Sequence, residues 1–304
     1  MNRQKAQAVT KFIICTLLSL SNVTALHALE RPNILLIIAD DMGYSDLGVT
    51  GSEIRTPTLD ELARTGIILD NFHVADTCSP TRSMLLTGVD NHRNGLGSMG
   101  EFLTATQANQ AGYEGALNYS VETIAEILGK QGYVNYAVGK WHLGSQPNQD
   151  PYARGFDRTF VALEGSGDNW SAIGASPNMP QLTFTKNGQK VLRPAGFSSH
   201  LYTQNLISQI EADIDQNRPF FAYLSYQAVH WPHHAPKEKI LPYNKIYQQG
   251  WDVLRKARFN RIKNLGIIDD DLSLRPRDAK VPAWDTLNRD QKNREAMRMA
   301  AYAG

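Results

Sequence analysis

The sequence predicts an α/β protein with a mostly parallel central sheet sandwiched by helices. Residues 33–39 (Asn-Ile-Leu-Leu-Ile-Ile-Ala) are continuously apolar rather than alternating, as in a strand covered on both faces. A helical stretch follows, headed by Thr56-Pro57, with acidic residues in its first turn and Gly66 at its end. Residues 66–72 then read as a second strand. Strand, helix, strand, helix in this order implies right-handed crossovers between parallel strands.

Later segments repeat the unit. From Ser120, the residues Ile124, Ile127 and Leu128 form the apolar stripe of a helix that closes near Gly129 and Gly132, and a strand over 133–138 follows. Residues 145–200 are rich in Gly, Pro, Asn and Ser and read as long loops over the site. Residues 219–226 form another buried strand. The polar stretch 251–302 is helical in pattern, interrupted by Pro276 and Pro282.

Composition bounds the function. The 304 residues can bury a large core, and the formal net charge of +1 argues against a nucleic-acid partner held by a basic surface. Any anion chemistry must come from a local site. Residues 1–28 read as a cleavable secretory signal: Arg3, Lys5 and Lys11 precede an apolar run over 12–20, and small residues allow cleavage after Ala25 or Ala28. That run is too short for a comfortable membrane span, so the expectation is a periplasmic or secreted protein without a stable membrane anchor. Cys15 lies inside the signal, which leaves Cys78 as the single cysteine of the mature chain, unable to form an internal disulfide.

Four places carry chemistry. Asp40-Asp41 directly follows the first strand. Strand carboxyl ends are where sites form in open α/β sheets, and adjacent carboxylates there suit a hard cation such as Ca²⁺ or Mg²⁺; the competing reading is a turn capped by one aspartate. Cys78 opens a short helix in which Ser79 can act as N-cap, Pro80 fits the first helical position and Gly88 marks the end. The helix terminus and Arg82 then surround the thiol with a positive field, although an isolated cysteine also serves as a small buried hydrophobe.

Lys140 and His142, two apart in an extended stretch, can reach one site together; the competing reading for the lysine is a solvated side chain. His230, His233 and His234 cluster after the strand at 219–226, but Pro232 prevents the helix that would put two imidazoles on one face, which disfavours zinc. Asp168-Asn169 has no adjoining apolar strand and reads as loop chemistry. The Asn-x-Ser matches at Asn118 and Asn169 are common by chance.

Cys78-Ser-Pro-Thr-Arg82 followed by Ser-Met-Leu-Leu-Thr-Gly88 resembles the signature of the type I sulfatases, members of the alkaline phosphatase superfamily. Gly139-Lys-Trp-His-Leu-Gly144 resembles their second signature, Asp40-Asp41 their first-strand metal ligands, and His230-Trp-Pro232 their His-x-Pro turn. The resemblance runs from about residue 31 to the end of the chain. It implies an alkaline phosphatase-like fold and hydrolysis of an aryl sulfate or similar small-molecule ester to a phenol or alcohol and sulfate. It further implies formylglycine made from Cys78 by a formylglycine-generating enzyme or equivalent. By the same resemblance, Asp40, Asp41 and the modified Cys78 hold Ca²⁺ in preference to Mg²⁺, while Lys140 and His230 contact sulfate. Arg82 would favour the ionised nucleophile, and His142 would remove a proton when the covalent intermediate collapses.

The family's Asp-Asn-Gly motif is absent from the sequence, as are its second lysine and smaller C-terminal domain. The expectation is therefore that residues 31–304 are the N-terminal part of a catalytic domain, inactive alone, with a sheet edge exposed. Two other functions stay open: a phosphonate or phosphodiester hydrolase of the same superfamily, and a non-catalytic exported binding protein.

Overall fold

The computed structural model describes residues 31–304. The expected signal at residues 1–28, with Cys15, lies outside the described residues. Contacts separate a segment ending at Ile34 from a compact unit, Leu35–Gly304. No helix among the described residues is long and apolar enough to cross a membrane.

The first apolar run forms β1 (Ile34–Ile38). Helix α1 (Pro57–Thr65) starts on Pro57 and carries Asp60 in its first turn and Arg64 in its last, which suits the helix dipole. α2 (Cys78–Thr87) ends at Gly88, whose φ of 66° is the left-handed cap that glycine adopts without strain. α3 (Ile124–Lys130) is fixed by a reciprocal capping box between Thr123 and Glu126. The rest of the main sheet is β2 (Val134–Lys140), β3 (Arg158–Ala162), β6 (Phe184–Lys186), β7 (Gln189–Val191) and β8 (Phe220–Ser225), and β4 (Ile173–Ser176) pairs with β5 (Met179–Gln181) in a separate ribbon. Four helices complete the architecture: α4 (Ser198–Asp213), α5 (Lys237–Tyr247), α6 (Trp251–Asn264) and α7 (Arg289–Ala303).

The main sheet runs β1-β8-β2-β3-β6-β7. β2 is parallel to both β8 and β3, in registers that place Gly139 beside Ser225 and Lys140 beside Ala162. β6 and β7 add antiparallel pairs at one end. The expected mostly parallel sheet between helices is therefore present. Its core joins Tyr136, Val138, Phe160, Leu224 and the α4 residues Tyr202 and Leu206. A second apolar cluster, Tyr247, Leu254, Trp284, Ala296 and Ala300, holds α5, α6 and α7 together.

Three expectations need correction. Residues 66–72 form no strand: the segment is turn and coil, with Ile67 88% exposed and Phe72 62% exposed. Its apolar run mimics a strand, but among the described residues no neighbouring strand takes up its backbone. β1 is not covered on both faces; it lies at the sheet edge with Leu35 and Ile37 about half exposed. Residues 145–200 are not only loops, because they contain β3 to β7. The Asn187-Gly188 pair, at φ 49° and 75°, turns β6 into β7 through the two-residue hairpin that this dipeptide favours.

Candidate active site

The carboxyl end of the parallel sheet gathers the chemistry, as expected for an open α/β architecture. β1 leads into Asp40, β2 ends on Lys140, and β8 ends on Ser225 shortly before His230. These strands approach closely here. A Cβ on Gly139 would sit 1.9 Å from the Ser225 carbonyl oxygen, so position 139, at φ 108°, admits only glycine. Backbone bonds tie β1 to the His230 loop: Asp40 N–H donates to the Ala228 carbonyl at 3.0 Å, and Val229 N–H donates to that of Asp40 at 3.0 Å.

Asp40 is the charge centre. Its carboxylate is buried, and its two oxygens accept from different cations: Oδ1 from Arg82 Nη2 at 3.1 Å, and Oδ2 from Lys140 Nζ at 2.6 Å. Burial pushes the Asp40 carboxyl up, but the Lys140 and Arg82 charges outweigh it and hold the group below the usual carboxylate range. Arg82 is itself buried and paired through both terminal nitrogens. Its Nη1 donates to Tyr223 Oη at 2.8 Å and to Ser225 Oγ, two residues that alternation places on one side of β8. Burial disfavours the charged guanidinium, yet Tyr223 and Asp40 keep it firmly protonated. Two buried cations facing one carboxylate leave a local positive excess, which suits an anionic ligand.

Cys78 stands at the edge of this group. It is half-buried, free of any disulfide, and the first residue of α2, so the helix terminus points its unpaired N–H groups that way. The N-cap is Thr77 rather than Ser79, and Ser79 is instead buried with its hydroxyl unpartnered. The sequence register was off by two residues because Thr77 and Ser79 are both acceptable caps. One ligand atom each from Asp40, Cys78 and His230 lies within 4.8 Å of the others. Asp41 joins from the side, with Oδ2 3.5 Å from His230 Nε2, on a backbone at φ 61°. Its loop is braced by Gly43 N–H, which donates to Asp46 Oδ2 at 2.9 Å, and by Tyr302 of α7, which donates to the same carboxylate.

This donor set fits a hard divalent cation in part. Two carboxylates, Asp40 and Asp41, flank the point where Cys78 and His230 meet, and Ca²⁺ takes such oxygens. A thiol is a soft ligand; an oxygen function at position 78 would complete a harder set.

His142 is placed differently from Lys140. β2 ends at Lys140, and the backbone at His142 turns to φ 59°, so strand alternation no longer governs its direction. Its Nε2 pairs with Glu101 at 2.9 Å, not with Asp40. The other histidines disperse: His234 Nδ1 lies 3.5 Å from Asp168, and His233 bonds the Val229 carbonyl. Asp168 accepts from the N–H groups of Trp170 and Ser171 at 2.7 Å each, the turn-forming behaviour expected of a loop aspartate. The sequence reasoning missed Tyr223, Ser225 and Glu101. Alternation along β8 carried a signal for the first two; for Glu101 no local pattern existed.

A family model described as Sulfatase matches residues 32–290. A Schizosaccharomyces pombe protein named as an uncharacterized sulfatase is 40% identical over 286 residues, covering 90% of this chain and 51% of its own length. The arylsulfatase of Klebsiella aerogenes is 37% identical over 277 residues, covering 90% of this chain and 59% of its own. The solved PsFucS1 sulfatase of Pseudoalteromonas sp. matches in fold with a TM-score of 0.57, at 21% identity over 78% of this chain and 52% of that one. The chain thus spans a little over half the length of these relatives.

Proposed function

This chain belongs to the sulfatase family, and from that membership we propose that the protein hydrolyses sulfate esters, aryl sulfates or similar, to an alcohol or phenol and inorganic sulfate. The observation that carries the reading is the meeting of Asp40, Cys78 and His230 within 4.8 Å, above the buried Asp40–Arg82–Lys140 group and at the head of α2. A nucleophile there is set among cations, where an oxyanion is favoured over its neutral form.

The nucleophile is best supplied by conversion of Cys78 to formylglycine, whose hydrate carries a hydroxyl able to attack sulfur; a maturation enzyme would carry out that oxidation. Asp40 and Asp41 would hold a divalent cation, Ca²⁺ before Mg²⁺, which when bound supplies Lewis-acid stabilisation of negative oxygens at the site. Arg82, bonded to Asp40, Tyr223 and Ser225, orients the carboxylate and contributes fixed positive charge. Lys140 Nζ and His230 stand beside Asp40 and would hold sulfate oxygens. His142 would accept a proton as sulfate departs. Export to the periplasm or beyond matches this use of an unpaired cysteine in an oxidising compartment.

Peptide mapping by mass spectrometry of the protein from its own host tests the nucleophile. The expected result is aldehyde at position 78, and an unmodified thiol would overturn it. Comparing rates on aryl sulfates and phosphodiesters tests the substrate class, with a higher specificity for phosphodiesters pointing to the related hydrolases.

A further inference from the structure

His142 and Glu101 are 41 positions apart, yet they form a part-buried pair. Glu101 Oε1 lies 2.9 Å from His142 Nε2, the imidazole is 9% exposed, and the carboxylate is about one-third exposed. A carboxylate only accepts, so Nε2 carries the hydrogen and Nδ1 keeps its lone pair. Nδ1 is fully buried and has no hydrogen-bond partner. A buried polar atom left this way is costly and needs a reason, and a site poised to take a proton is one.

The ring packs on Gly165. A Cβ on Gly165 would lie 2.4 Å from Cε1, 2.7 Å from Nε2 and 3.0 Å from Nδ1, so the imidazole lies directly against that glycine's backbone. The backbone of His142 is also held, its N–H donating to the Leu163 carbonyl at 3.1 Å. Glu101 is delivered by a short turn of helix, Gly100–Phe102, in a segment packed glycine on glycine. A Cβ on Gly100 would meet the Gly115 carbonyl oxygen at 2.9 Å, and Gly97 N–H donates to the Gly112 carbonyl at 2.7 Å. Burial pushes the Glu101 carboxyl up, but the hydrogen bond from His142 and the Lys140 charge outweigh it and hold the group below the usual carboxylate range.

We infer that Glu101 is a positioning residue: it fixes the Nε2–H tautomer and the plane of His142, so that Nδ1 is the atom that takes a proton during turnover. When the hydroxyl at position 78 gives its proton to Nδ1 as the carbon–oxygen bond to sulfate breaks and the aldehyde re-forms, the ring becomes an imidazolium, which Glu101 stabilises as a charge-assisted pair. The use of Nδ1 in turnover rests on the sulfatase reading; the orientation does not.

The test separates the two. Long-range ¹H–¹⁵N spectra of the histidine rings in the full chain, with His142 assigned by its loss in His142→Gln, report the tautomer without any substrate. The expected result is Nε2–H in the wild type and a mixture of tautomers in Glu101→Ala. Glu101→Gln, which keeps an acceptor oxygen but no charge, retains the Nε2–H form and covers the case in which Glu101→Ala fails to fold. In assays of aryl sulfate hydrolysis, both variants should lower kcat by about 10- to 100-fold with KM within about 2-fold, the loss typical of removing a carboxylate that orients a working histidine. An Nδ1–H ring in the wild type, or an unchanged tautomer in Glu101→Ala, would overturn the inference. The expected tautomer result in a complete protein that carries the aldehyde at position 78 yet cleaves no sulfate ester would sink the hydrolase reading and leave the orienting role of Glu101 intact.

Discussion

Lys140 Nζ lies 2.6 Å from Oδ2 of Asp40, one hundred positions earlier in the chain, and both groups are buried. Arg82 takes the other carboxylate oxygen at 3.1 Å. Asp40 is therefore the single anion between two buried cations, and the three side chains stand or fall together.

Removing the anion should cost most. Asp40→Asn leaves two cations facing each other without compensation and is expected to destabilise the protein by about 3–5 kcal/mol, whereas Lys140→Met leaves the Arg82–Asp40 pair intact and should cost clearly less. The double variant Asp40→Asn with Lys140→Met should be more stable than Asp40→Asn alone. Urea unfolding gives all three values, and an additive double variant would disprove the coupling.

Cys78→Ala should separate chemistry from folding. The side chain is half-buried and makes no disulfide, so the midpoint of thermal unfolding should move by no more than a few degrees. Turnover of sulfate ester should fall by at least about a thousand-fold, since the covalent route is lost. Activity near the wild-type rate would rule out position 78 as nucleophile.

Gly165→Ala puts a methyl group 2.4 Å from the His142 ring, closer than any ordinary contact. The expected effect is a loss of about 1–3 kcal/mol from overpacking, together with a displaced imidazole. Thermal unfolding and the histidine ring spectrum read the two effects separately. Normal stability with an unmoved ring would show that the backbone at Gly165 relaxes freely.

Stability in acid should report on Glu53. Its carboxylate accepts from Arg258 Nη2 and Nε at 2.7 Å each and from Tyr247 Oη at 2.8 Å. Burial pushes the carboxyl up, but these bonds outweigh it and hold it below its ordinary value of 4.5. A depressed folded-state value means that the stabilisation is present above pH 4.5 and is lost as pH falls through the folded value. Glu53→Gln should therefore lower stability at pH 7 by about 3 kcal/mol and make the remaining acid dependence shallower. An unchanged slope below pH 4.5 would refute the assignment.

The chain's local order was legible from its residues because the signals involved are local. A continuous apolar run, a Thr-Pro head and a terminal glycine act over fewer than about ten residues. They place Asp40, Cys78, Lys140 and His230 at the ends of their elements, where the structure also has them. They misled at residues 66–72, where an apolar run without a pairing partner stays exposed. They also misled at Thr77, where two good caps competed for one helix start.

By itself, then, the sequence determined the order of β1, α1, α2, α3, β2 and β8 and the residue types that carry charge to the carboxyl end of the sheet. Only the tertiary structure decided which of those groups pair. Arg82 meets Tyr223 across 141 positions and Asp40 across 42; Glu101 meets His142 across 41. Such pairings depend on which backbones pack against each other, and no periodicity records that. The same physics accounts for β1, whose composition suits a covered strand but whose exposure depends on what lies beside it.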